Sequence, residues 1–186
     1  MADIGRRGFV KGATLGALSF TMGGVEVLLS AAEAKARGVP FRLLDAHQGE
    51  TLEALGETLV PQARECGIAH FIDQQLSVPA NECLLQARIF NFRPPFAEFY
   101  RTAITAVDGA SNKMFGRNFA QFSAAEQRQF VDLMRQNKVE DWTGPPGALV
   151  YSALRADAVD VVYGTMEGYE ALGIPYMPHI PPEKRW

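Results

Sequence analysis

From residue 35 onward, no stretch of the chain alternates apolar and polar residues for more than five positions. A half-buried strand needs that period of two, because successive side chains point to opposite faces. What recurs instead is a spacing of three and four, which stacks side chains on one face of a helix. Leu52, Leu55, Leu59 and Val60 follow it from Glu50, and Pro61 stops the run. Ile68, Phe71, Ile72 and Leu76 repeat it from Cys66 until Val78-Pro79 ends it. The longest run, Phe96 to Phe115, carries Phe96, Phe99, Tyr100, Ala103, Ile104, Val107 and Met114 on or near one stripe. Ser123-Ala124-Ala125-Glu126 is a capping box, and Phe130, Leu133 and Met134 follow it at helical intervals. After Gly144-Pro145-Pro146-Gly147, a last helix is expected from about Ala148 to Val162, before Gly164. The expected body is all-α, a compact bundle of about five helices with no internal repeat.

Two proline-rich stretches interrupt the pattern. Residues 80–97 hold Asn81, Asn91, Pro94 and Pro95 among apolar side chains, and the double proline forces an extended entry into the long helix. This reads as an ordered docking loop. From Gly173 to Trp186 the chain has four prolines, too many for a helix. An extended tail over residues 172–186 loses little entropy on docking. Pro175, Tyr176, Met177, Ile180 and Trp186 are its candidate contacts, with Pro94 and Pro95, for a partner surface. Packing of the tail back across its own bundle is the alternative.

The first 34 residues read as an address label rather than as core. Arg6 and Arg7, followed by Phe9 and Lys11, resemble the twin-arginine export signal, and an uncharged, glycine-containing stretch from Gly12 to Val25 follows. That stretch is shorter than the ~20 residues a spanning helix needs. Small residues around Ala31-Ala32-Glu33-Ala34-Lys35-Ala36 suggest cleavage after Ala34 or Ala36, and Glu26 within the apolar region leaves retention of the segment as a helix or peripheral anchor as the alternative. The expected division is thus a signal over residues 1–34 and a helical domain over 35–186. The twin-arginine route carries folded proteins, often with a cofactor inserted or a partner attached, which directs attention to a cofactor here or in a neighbour.

Composition narrows the rest. The 18 Lys+Arg against 21 Asp+Glu leave no basic surplus for nucleic acid. Cys66 and Cys83, an even count in an exported chain, suggest a disulfide, with buried free thiols as the alternative. There is no G-x-G-x-x-G, no C-x-x-C-H for haem and no G-x-S-x-G. His70 and Asp73, three apart on a helix, are a weak pair of metal ligands, and a surface hydrogen bond explains them as well. Asp157 and Asp160 share a face of the last helix, where a solvated face beside Arg155 is the plainer reading of two carboxylates. A stand-alone periplasmic helical metal-binding or ligand-binding protein using these residues is the competing class.

The run Thr58-Leu59-Val60-Pro61, the step Ala63-Arg64-Glu65-Cys66-Gly67-Ile68 and the helix Phe71-Ile72-Asp73-Gln74-Gln75-Leu76 resemble the gluconate 2-dehydrogenase subunit 3 family. The likeness continues through Phe115-Gly116, Phe119-Ala120, Ser123-Ala124-Ala125-Glu126-Gln127, Val161-Val162-Tyr163-Gly164 and Leu172-Gly173-Ile174-Pro175, over roughly residues 51–186. The resemblance implies a non-catalytic small subunit of a periplasmic dehydrogenase complex associated with the inner membrane. It implies a large FAD-containing partner, usually a c-type cytochrome subunit carrying haem c, and the twin-arginine translocase as a further partner. In such complexes the flavoprotein travels as a passenger on the small subunit's signal. No catalytic or cofactor-binding residue carries over to this chain. Where many members have a longer glycine- and asparagine-rich segment, this chain has Tyr163-Gly164-Thr165-Met166-Glu167-Gly168-Tyr169, a departure that argues against taking gluconate as the partner's substrate and leaves glycosides oxidised at C3 and other polyols open.

Overall fold

A computed structural model describes residues 17–174. Over these the chain is mostly helical, with eight helices and one two-stranded sheet. The helical expectation holds. The hairpin was not expected, and it lies within the segment read as an export signal. Strand β1, Leu18–Met22, pairs antiparallel with β2, Val25–Leu29, in the register Leu18 to Leu29 and Met22 to Val25. Gly23 and Gly24, at φ +60° and +82°, make the two-residue turn whose positive φ values match the strand twist. Leu18, Phe20 and Leu29 point into the core.

The helices are α1 Ala31–Ala36, α2 Ala46–Leu59, α3 Ile68–Leu76, α4 Gln86–Ile89, α5 Phe96–Phe115, α6 Ala124–Arg135, α7 Gly147–Tyr163 and α8 Met166–Ala171, with a 3-10 turn at Phe119–Gln121. Local chemistry accounts for the boundaries. Ser30, Asp45 and Ser123 each form a reciprocal capping box, and Pro95 and Pro146 precede α5 and α7, where a missing N–H costs nothing. Helix α2 starts four residues before the expected Glu50, because Asp45 and Gln48 supply a cap. The short helices α1, α4 and α8 carry too few residues for a periodic signal.

Helix α7 is the centre of the packing, in contact with α2, α3, α4, α6 and α8. Its buried residues, Val150, Ala153, Leu154, Asp157, Ala158, Val161 and Val162, recur at spacings of three and four and form one broad face, with Ser152 and Arg155 exposed on the other side. Helix α2 forms the second hub, against α3, α5, α6, α7 and the 3-10 turn. Phe119, Phe122 and Phe130 cluster beneath α6, with ring centroids 5.4–6.1 Å apart. Among the described residues, no helix is long and apolar enough to cross a membrane.

Candidate partner-binding site

The residues singled out by sequence for chemistry are spent on architecture. Asp73 is buried on α3, and its carboxylate accepts three backbone N–H groups from one loop, Arg42 at 2.8 Å, Leu43 at 2.8 Å and Leu44 at 2.9 Å. It caps the loop that leads into α2. His70, on the same helix, places Nε2 3.0 Å from the carbonyl of Val39, and its Nδ1 is buried without a partner. Burial lowers the His70 pKa and favours the neutral ring. The two residues serve neighbouring backbone segments rather than a common ligand. Among the described residues, no group of three or more His, Cys, Asp or Glu side chains gathers to hold a metal.

Asp157 corrects the expectation of a solvated face, since its side chain is fully buried. The Tyr100 hydroxyl donates to Oδ2 at 2.6 Å and the Gln86 backbone N–H to Oδ1 at 2.8 Å. The Gln86 side-chain amide reaches Asp160 at 3.0 Å. One carboxylate therefore joins α4, α5 and α7. Burial is the main cause that raises the Asp157 pKa to about 7, and burial together with Asp157 holds Tyr100 well above its ordinary value. Arg155, the neighbour that suggested a wet face, points outward on the opposite side of α7.

The disulfide expectation is also corrected, because Cys66 and Cys83 are both free. Cys66 precedes α3, whereas Cys83 follows its far end, where the Leu84 N–H donates to Gln75 Oε1 at 2.7 Å. A nine-residue helix stands between them, about 14 Å long at 1.5 Å per residue. Bridged cysteines need Cα atoms within about 7 Å. Burial raises the pKa of both thiols.

The stretch read as a docking loop carries exposed apolar side chains on a hydrogen-bonded frame. Its backbone is held by Gln75 at Leu84, by Asp157 at Gln86 and by the Arg88 guanidinium, which donates to the carbonyl of Cys83 at 2.9 Å. Phe92 stacks on Phe99 with centroids 4.5 Å apart, and Phe99 meets Tyr100 edge-on at 5.2 Å. On this frame Leu84, Ile89 and Phe90 stand exposed, Ile89 at 66%. Pro94 and Pro95, joined by a cis peptide bond, are also exposed and line a shallow cleft with Gln75, Leu76, Val78, Ala80 and Phe96. Leu84, Ile89 and Phe90 were not singled out in the sequence, since α4 is a single turn with no readable period. Arg6, Arg7, Phe9 and Lys11 of the export signal, and Pro175, Tyr176, Met177, Ile180 and Trp186 of the tail, lie outside the described residues.

The family model described as Gluconate 2-dehydrogenase subunit 3 matches residues 46–181. The chain belongs to this family. The match begins at the first residue of α2 and takes in the Asp73 cap, the Asp157 junction and the Leu84–Pro95 surface. No curated protein and no solved structure matches the chain. The family name marks it as a gluconate 2-dehydrogenase subunit, a component of a multisubunit dehydrogenase.

Proposed function

We infer that the chain is the non-catalytic small subunit of a membrane-associated periplasmic dehydrogenase complex, which exports and stabilises an FAD-containing large subunit that oxidises a sugar, glycoside or sugar acid. The observation that carries this reading is the family match over residues 46–181, in a chain whose first residues hold Arg6-Arg7-Gly8-Phe9-Val10-Lys11. Two structural features support it. The carboxylates Asp73 and Asp157 are saturated by backbone and tyrosine donors, and an ordered apolar face is turned to solvent. An exposed cluster of large apolar side chains on a rigid frame is the usual anchor of a protein interface. In this reading Leu84, Ile89, Phe90, Pro94 and Pro95, with the tail residues Pro175 to Trp186, contact the flavoprotein. The FAD and a haem c belong to partner subunits, and the twin-arginine translocase carries the assembled pair to the periplasm.

Replacing Arg6 and Arg7 by Lys in cells that also express the flavoprotein should leave dehydrogenase activity in the cytoplasm. Periplasmic activity at the wild-type level would sink the export role. Truncation before Gly173, or Ile89→Asp with Phe90→Asp, should weaken co-purification of the flavoprotein by about tenfold or more, as loss of an interface anchor does. Unchanged recovery of a yellow large subunit would reject this face and the tail as the interface.

A further inference from the structure

Small residues at 31, 34 and 36 suggest a peptidase site in the sequence, but the structure gives them another task. Ala31 and Ala34 are buried, and they belong to α1, which packs on α3. The Ser30 side chain and Glu33 close a reciprocal cap at the start of this helix, with Glu33 N–H on Ser30 Oγ at 3.1 Å and Ser30 N–H on Glu33 Oε2 at 2.8 Å. The backbone on both sides of the two candidate bonds is engaged. Ala34 N–H donates to Ser30 O at 2.9 Å, Val39 N–H to Ala34 O at 3.0 Å and Arg37 N–H to Glu33 O at 3.0 Å. The Lys35 ammonium pairs with Glu53 on α2.

The body is also shaped to receive this segment. Gly67, at φ +79°, lies so near Ala31 that a Cβ there would sit 2.3 Å from the Ala31 carbonyl oxygen. That approach is closed to any other residue. Upstream, Leu18, Phe20 and Leu29 insert their side chains into the core, and Arg42 reaches Thr21. A peptidase needs an exposed chain that it can draw out, so tolerance of a cut is decided by the burial and hydrogen bonding of the backbone concerned.

We propose that the export signal of this protein is retained: the chain is not cut after Ala34 or Ala36, and residues 18–36 stay as a structural part of the exported subunit. This rests on the export reading above. It follows that the arm bearing Arg6, Arg7 and Lys11 remains covalently attached to the folded body after translocation.

The full chain, tagged at its C-terminus and co-expressed with the flavoprotein, is recovered from the periplasm and its intact mass and N-terminal sequence are measured. The expected N-terminus lies upstream of Arg6, with a mass close to the 20.4 kDa of the whole chain plus its tag. An N-terminus at Lys35 or Arg37 overturns the proposal. Hydrogen exchange on the same full-length protein, purified from either compartment, supplies a readout that does not depend on export. Amides of Ala34, Arg37 and Val39 should be protected at least ~100-fold over an unstructured peptide, comparably with α3. Exchange at free-peptide rates over 18–36 overturns the proposal even if no cut is seen. Retention of the chain in the cytoplasm refutes the export reading instead, and the exchange result then decides whether the segment belongs to the fold.

Discussion

Asp157→Asn should flatten the dependence of stability on pH. In the folded chain the Asp157 pKa is about 7, chiefly because burial disfavours its charge, against 3.8 for the ordinary side chain. The folded protein therefore holds a proton that the unfolded chain has already released across that window. Stability from this site is fully present below about pH 4, falls as pH rises, and is gone above about pH 7. A gap of about three units corresponds to roughly 4 kcal/mol, lost at about 1.4 kcal/mol per pH unit. From pH 5 to pH 7 the loss is about 3 kcal/mol. Asn has the shape and neutrality of the protonated acid, and its carbonyl can still accept the Gln86 N–H. The Tyr100 hydroxyl loses its carboxylate acceptor, which offsets the variant by about 1–3 kcal/mol at all pH values without altering the slope.

Other groups titrate nearby, yet they are common to both proteins. Asp108 and Asp160 have pKa values raised mainly by burial and act in the same direction as Asp157, while neutral His70, lowered by burial, acts oppositely near pH 6.5. Subtracting the curves removes Asp108 and His70 and leaves the titration of Asp157 together with its coupling to Asp160. Urea unfolding followed by far-ultraviolet circular dichroism from pH 5 to 8, at fixed ionic strength, measures the difference. The variant should gain on the parent by about 3 kcal/mol over that range. Parallel curves, within about 0.5 kcal/mol, would refute the assignment of a buried proton to Asp157.

Three further outcomes follow from the packing. Asp73→Ala leaves three backbone N–H groups at Arg42, Leu43 and Leu44 without their acceptor, and should cost about 3 kcal/mol or more in denaturant unfolding; a loss under about 1 kcal/mol would contradict the capping role. Gly67→Ala places a methyl group against the Ala31 carbonyl at a positive φ, and should destabilise by more than about 1 kcal/mol, with protection from exchange lost first over 18–36; a neutral substitution would separate the N-terminal segment from the body. Thiol labelling without reductant should modify half-buried Cys66 faster than buried Cys83 in the native protein, and both in urea; failure of both to react in urea would restore the disulfide.

The long helices were legible because their sequences are locally complete. Phe96 to Phe115 matches α5 residue for residue, and Ser123 with Glu126 starts α6, since the stripe and the cap lie within one stretch of chain. Leu18-Ser19-Phe20-Thr21-Met22 also alternates, ahead of Gly23-Gly24, so the hairpin had a signal. It was hidden by the export motif just upstream, which made small and apolar residues read as an address label. The apolar face was half legible. Pro94 and Pro95 mark it, whereas Leu84, Ile89 and Phe90 look like core until α4 is seen to be one turn anchored at Gln86.

The sequence by itself determined that this chain is helical, where its longest helices begin and end, and which family it resembles, because periodicity, caps and motifs act over a few neighbouring residues. Tertiary structure alone decided which polar groups are dry and what they hold. Asp157 and Asp160 are both carboxylates on one helix, but one joins three helices in the core and the other is half-buried. That difference arises from α4 and α5, whose Gln86 and Tyr100 lie 71 and 57 residues away along the chain. Burial and long-range hydrogen bonding are properties of the packed chain, and only the packing reveals them.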